Sequence, residues 1–400
     1  MRSPMQLNYT APENVRASIA ALGRTEDVKF SPDNNRLAVA SFLRNQIAIF
    51  EIRLDDSPNG KQVSLRDVTV ISSAYLSQPH GIDFIDNGTI IVANRTGDAR
   101  IFELPSNGGD YDLVPLEIIR SGEVVDGPGA VTIARREGGC CEALICNNFS
   151  NKVTKHLIDL TGNWPVDSSQ ILLRKWLNWP DGVSVSDPWI AISNHHSHNV
   201  FLYDSGTSLN EYSEPDGILR CAHFPHGLRF TPDDRFILVA DSGAPYVHIY
   251  ARDESGWRGV RSPFKSVRVL SDEDFLRGHM CGPKGLDIDG SMSTLVTTCK
   301  VQPLAFFPLA EILEWISLLQ ENGGKGTASL GEELHASYET HGQAQGALEI
   351  KYELKRHEVA YQLRQALAAV TNSQSWRYTA PLRGMYSFLR RCYPSTRDRG

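Results

Sequence analysis

Apolar and polar positions along the chain follow a repeating order. A short segment containing Gly is followed by a run of alternating apolar residues, a small polar break, a second β-rich run ending in a small residue plus Asn or Asp, and a third run. Alternation with a period of two is the mark of half-buried strands. The clearest copies begin at Pro79-His80-Gly81, Gly127-Pro128-Gly129, Pro180-Asp181-Gly182, Pro225-His226-Gly227 and Gly282-Pro283-Lys284-Gly285, and a sixth, lacking the Gly, begins near Asp27. A return at about fifty residues is too long for a hairpin and suits a four-stranded propeller blade.

Candidate fourth strands precede five of these anchors: Val68–Ile71, Leu116–Ile119, Ile171–Leu173, Ile218–Cys221 and Val267–Leu270. The segment Val15–Leu22 holds the equivalent place before the first copy, whereas nothing suitable follows Leu304–Phe307 in the last. The sequence therefore predicts an all-β, six-bladed propeller closed by an N-terminal strand, which removes exposed sheet edges. Ser31-Pro32-Asp33-Asn34-Asn35 and Thr231-Pro232-Asp233-Asp234-Arg235 supply tight reversals between β-rich runs.

The pattern changes after residue 307. Pro308 followed by Leu309, Ile312, Leu313, Ile316 and Leu319 predicts a helix packed on the propeller. Residues 322–346 are rich in Gly, Ser and Thr and read as a linker, which divides the chain into a propeller unit (1–321), the linker, and a helical extension (347–400). Within the extension, Leu348, Tyr352, Val359, Leu363, Leu367 and Val370 make one apolar stripe that needs a partner, such as a second copy. Leu382, Met385, Tyr386, Leu389 and Tyr393 beside Arg383, Arg390 and Arg391 make a basic amphipathic helix suited to an anionic membrane surface or to the acidic body.

Charge sharpens this division. The 400 residues carry −7, yet the last thirty hold six arginines against Asp398 alone, leaving −12 on the first 370. An acidic body with a short basic tail argues against nucleic-acid binding. No run approaches the roughly 18 apolar residues of a membrane span, and Met1–Ser18 lacks a signal-peptide core. Seven cysteines without metal-ligand spacing predict thiols rather than disulfides, as in a cytoplasmic protein.

Ser375-Trp376-Arg377-Tyr378-Thr379-Ala380-Pro381-Leu382-Arg383 resembles the Ser-Trp-Arg-x-Thr-x-Pro-Leu-Arg motif near the ends of bacterial surface-polysaccharide glycosyltransferases. The resemblance implies a setting in O-antigen, capsule or exopolysaccharide assembly, with Trp376, Arg377, Arg383, Arg390 and Arg391 facing membrane or partner enzymes. It does not imply a transferase, since no nucleotide-sugar domain is evident. Residues 15–310 resemble the six-bladed propellers of the gluconolactonase and NHL-repeat groups, and the fifth copy is also similar to a blade of bacterial lactonases. That resemblance implies a calcium ion in the central channel held by Glu, Asn and Asp. Of the matching positions only Asp181 keeps such an oxygen; the others hold His80, Gly129, His226 and Lys284.

In a propeller the entry to each inner strand and the loop after each second strand share one face. His80, Asp181 and His226 are thus gathered as catalytic candidates, since two imidazoles and a carboxylate suit acid–base chemistry or a divalent metal. Asn94, Asn147, Asn194, His195 and Asp241 join them as ligand-binding candidates on the rim. Each has a structural alternative: histidines bond turn backbone, Asn and Asp cap turns, and His195-His196-x-His198 reads as an exposed loop. The expected function is a binding or scaffolding module that recognises a sugar or partner protein in polysaccharide assembly. The alternative is a lactonase-like or sugar-modifying hydrolase.

Overall fold

The computed structural model describes residues 6–57, 60–120, 124–161, 164–278 and 280–314. Six sheets follow one another along the chain, with inner strands Thr25–Phe30, Pro79–Asp86, Pro128–Glu137, Pro180–Ser186, Pro225–Phe230 and Gly285–Ile288. In blades one to five the chain steps outward through antiparallel neighbours to a fourth strand. Those fourth strands are Gly60–Ser72, Glu117–Ile119, Val166–Leu173, Gly217–Leu219 and Lys265–Arg268, which contain or overlap the segments expected. The described core divides into six apolar clusters, one between each pair of neighbouring blades, the last joining blade six to blade one. The fold is a six-bladed β-propeller.

Blade six has three strands, ending with Ala305–Pro308, and its outer edge is met from the N-terminus by Leu7, whose N–H donates to the Phe306 carbonyl at 2.8 Å. Tyr9–Thr10 then run parallel to Val63 and Ser64 of blade one, so the N-terminal segment crosses the seam. The Val15–Leu22 segment is not a strand. Glu13–Ala21 form a helix, and Val15, Ile19 and Leu22 are buried in the cluster joining blades one and six. Their spacing of four and three residues is helical, and burying each contributes about 1.5–3 kcal/mol to closure.

The recurring glycine is explained by close packing at the axis rather than by a turn. A Cβ on Gly81 would lie 2.5 Å from Cα of Ala130, one on Gly182 2.1 Å from the His226 carbonyl oxygen, and one on Gly285 2.5 Å from Cα of Asp27. Neighbouring inner strands therefore touch backbone to backbone where the ring is narrowest. Both expected reversals form, with Asn34 and Asp234 at φ 58° and 57° and the Asp33 and Asp233 carboxylates accepting from Asn35 and Arg235 N–H.

Residues 309–314 turn helical as Pro308 predicts, and Leu309 and Ile312 are buried in the cluster of blades five and six. The linker 322–346 and the extension 347–400, with Trp376, Arg377, Arg383, Arg390 and Arg391, lie outside the described residues. No described helix is long and apolar enough to cross a membrane.

Candidate functional site

Superposing the inner-strand sequences sets Glu26, His80, Gly129, Asp181, His226 and Lys284 at one position, and Lys29, Asp83, Thr132, Ser184, Arg229 and Asp287 three residues further on. Each blade thus contributes one residue to each of two axial rings, an upper and a lower. Between them lies a cavity of about 10 Å³ lined by Glu26, Asp27, His80, Asp181, His226 and Arg229, which holds one water-sized particle.

The upper ring gathers the three catalytic candidates. The His80 and His226 rings stack with centroids 5.1 Å apart at 23°. Asp181 Oδ2 lies 3.3 Å from His226 Nε2, and Asp181 Oδ1 lies 3.9 Å from His80 Nε2. Glu26 is the residue that sequence reasoning missed. Its Oε2 lies 3.4 Å from Nε2 of each histidine and 2.6 Å from Lys284 Nζ, while Arg24 holds its other oxygen. The signal was present: Thr25-Glu26-Asp27-Val28 aligns with Pro79-His80-Gly81-Ile82, but Asp27 stands where the other copies carry Gly or Ala.

Blade three has Gly129 in the ring, and a Cβ there would meet Asn148 Oδ1 and Asp181 Oδ1. Asn148 fills the space instead and donates to Asp181 Oδ1 at 2.7 Å. Arg95 reaches in from the mouth, with Nη2 2.6 Å from His80 Nε2 and 3.1 Å from Asp181 Oδ1. Arg95 and Asn148 lie outside the inner strands, at the repeat position directly after the second strand that His195 and Ser242 hold in the next two blades, and sequence does not show that their side chains turn to the axis.

Protonation states follow from these partners. His80 Nδ1 sits 2.6 Å from the Gly129 carbonyl, which can only accept, so Nδ1 carries the proton and Nε2 presents its lone pair to the axis. Burial, with Arg95 beside it, holds His80 well below its usual value, and the ring is neutral. Burial alone would raise Glu26, but the Lys284 ammonium outweighs it and keeps the carboxyl well below its ordinary range. Asp181 is likewise held down, chiefly by His226 and Arg95 against burial. His226 Nε2 is buried and makes no hydrogen bond although two carboxylates face it.

The rim candidates have other partners. Asn94 Oδ1 accepts from Ser77 N–H, Asn147 Oδ1 from Asp126 N–H, and Asn194 Oδ1 from Asn178 N–H. Asp241 accepts from His223 and Phe224 N–H and pairs with His248. In four blades the last residue of the second strand therefore ties down the loop entering the inner strand, the turn-capping alternative. The histidine cluster divides. His195 is buried, 3.8 Å from Asp181 Oδ2, and burial pushes it down to about 4. His196 is exposed and stacks on Trp179, while His198 stacks on His223.

The calcium set implied by resemblance is absent from the upper ring, whose donors are two imidazoles and two carboxylates rather than the six to eight oxygens calcium takes. No family model matches the chain, and no curated protein does. Among solved structures, the chain is similar to one in the crystal structure of the mitotic checkpoint complex, at 9% identity and a TM-score of 0.45, over 71% of this chain and 74% of that one. It is also similar to a functionally unknown protein from Desulfotomaculum acetoxidans, at 12% identity and a TM-score of 0.46, over 72% and 83%. Neither likeness adds to the fold assignment, which rests on the strand order and the closed ring of clusters.

Proposed function

We propose that the protein is a saccharide-binding propeller serving bacterial surface-polysaccharide assembly, with its ligand held across the mouth of the axis. The observation that carries this reading is an aromatic cluster beside an opening too small to admit a sugar ring. Phe149, 51% exposed, meets Trp179 edge to face with centroids 5.4 Å apart, and Trp179 stacks on His196 at 4.8 Å. Aromatic faces suit the apolar C–H face of a pyranose, and Arg95, 6.0 Å from the Trp179 ring, supplies charged donors for hydroxyl or carboxylate groups. The polysaccharide setting comes from the resemblance at Ser375–Arg383.

Titration calorimetry of the full chain against oligosaccharides of bacterial surface polysaccharides tests the assignment. Binding without turnover, weakened at least tenfold in Trp179→Ala, supports it; lack of saccharide binding overturns it. A rival reading, a lactonase-like hydrolase, is favoured by the approach of His80, Asp181 and His226, and lactone turnover in the same assays would establish it.

The basic tail is assigned to an anionic membrane surface, where polysaccharide enzymes work. Sedimentation with phosphatidylglycerol-containing liposomes is expected to require residues 371–400 and to weaken with salt. Equal sedimentation of a chain ending at residue 370 would contradict the assignment and leave partner proteins or the apolar stripe of the extension as the tail's contacts.

A further inference from the structure

We propose that Glu26, His80 and His226, with Asp181 as fourth ligand, form a binding site for a divalent transition metal such as zinc. Three donor separations already match edges of a coordination tetrahedron, whereas Asp181, whose Oδ1 lies 3.9 Å from His80 Nε2, must shift inward to complete it. Zinc binds imidazole nitrogen and carboxylate oxygen at about 2.0–2.2 Å, so ligand atoms at tetrahedral corners lie roughly 3.3–3.5 Å apart. Glu26 Oε2 is 3.4 Å from His80 Nε2 and 3.4 Å from His226 Nε2, and His226 Nε2 is 3.3 Å from Asp181 Oδ2. The Glu26, His80 and His226 donors all fall within 4.8 Å of one another.

Three further observations point to a ligand. His80 is fixed in the tautomer that offers Nε2 inward, because Nδ1–H donates to the Gly129 carbonyl, the outer contact that orients metal-binding histidines. His226 Nε2, in a residue 3% exposed, is aimed at the carboxylates without a hydrogen bond. The cavity beside these atoms takes one water-sized particle, which also suits a single ion.

Two cations compete for the same atoms. Lys284 Nζ occupies Glu26 Oε2 at 2.6 Å, and Arg95 Nη2 occupies His80 Nε2 at 2.6 Å. A metal therefore enters by displacing them, and Arg95, standing at the mouth, can withdraw toward solvent. Lys284 thus sets the affinity as a built-in competitor, and two nitrogen donors favour zinc or cobalt over calcium.

The test is titration of chelator-stripped full-length protein with zinc, cobalt and calcium, read by calorimetry, bound-metal analysis and the cobalt visible spectrum. Expected are one equivalent of zinc or cobalt, the intense d–d absorption of four-coordinate cobalt, and calcium binding at least a hundredfold weaker. Lys284→Met is expected to tighten zinc at least tenfold, and His226→Gln to weaken it at least a hundredfold. Absence of stoichiometric metal in both wild type and Lys284→Met overturns the proposal. So does a weak six-coordinate cobalt spectrum of the wild type, which needs no variant to fold, or undiminished binding by a folded His226→Gln. Trp179→Ala, chosen for the saccharide assay, is expected to leave metal stoichiometry unchanged.

Discussion

The two axial rings differ in what holds their carboxylates. In and just above the lower ring, all six carboxylate oxygens of Asp27, Asp83 and Asp287 accept hydrogen bonds. Five accept from the backbone N–H groups of Val28, Ile82, Phe84, Ile133 and Phe30, and the sixth from Arg229 Nε at 3.0 Å. In the upper ring, Glu26 is held by the side chains of Arg24 and Lys284, and Asp181 by those of Arg95 and Asn148. Backbone donors belong to the strands and cannot leave without unfolding, whereas side-chain donors can be exchanged for a ligand. The lower ring is a structural lock between blades, and the upper ring is the place where chemistry can change.

Substitutions that separate the rings put this contrast at risk. Asp287→Ala leaves the Phe30 N–H unpaired and the buried Arg229 guanidinium with only Asp27 at 3.8 Å and the Leu228 carbonyl, and is expected to cost about 3–5 kcal/mol in urea unfolding. His226→Gln keeps an amide able to donate to the two carboxylates that Nε2 faces at 3.4 and 3.3 Å, and is expected to cost less than about 2 kcal/mol by the same measurement. Comparable losses at the two positions would erase the distinction.

A smaller effect comes from pH. His195 beside the upper ring and His156 inside blade three are both held down to about 4 by burial, against an ordinary value of 6.5. Between those values the unfolded chain takes up protons that the folded chain refuses, so their stabilising effect is complete above pH 6.5 and is lost as pH falls toward 4. From pH 7 to 5 each is expected to remove about 2 kcal/mol. Replacing His156 by Gln should flatten its share of that slope in unfolding titrations, and an unchanged slope would show that His156 titrates normally.

Much of the propeller was legible because each blade repeats its order of strands, and outer strands could be counted before the anchors. The role of the anchor glycine was not, since it depends on the neighbouring strand, such as the His226 carbonyl over Gly182, and not on its own turn. At Val15–Leu22 the place before blade one points to a strand, whereas the spacing of Val15, Ile19 and Leu22 is that of the helix they form. At the site, His80, Asp181 and His226 could be grouped from repeat position alone. Glu26 was hidden by Asp27 in the glycine position, and Arg95 and Asn148, one residue beyond Asn94 and Asn147 in the repeat, by side-chain directions that sequence does not show. At Asn94, Asn147, Asn194 and Asp241 sequence shows a polar side chain but not the loop N–H that it serves.

Anomalous diffraction at the zinc edge, from crystals of the full chain grown with zinc, tests the central claim most directly. The account predicts a single strong peak between Glu26, His80, Asp181 and His226, with Lys284 Nζ moved away from Glu26. Crystals without anomalous density there, and with Lys284 and Arg95 still bound to Glu26 and His80, would contradict it.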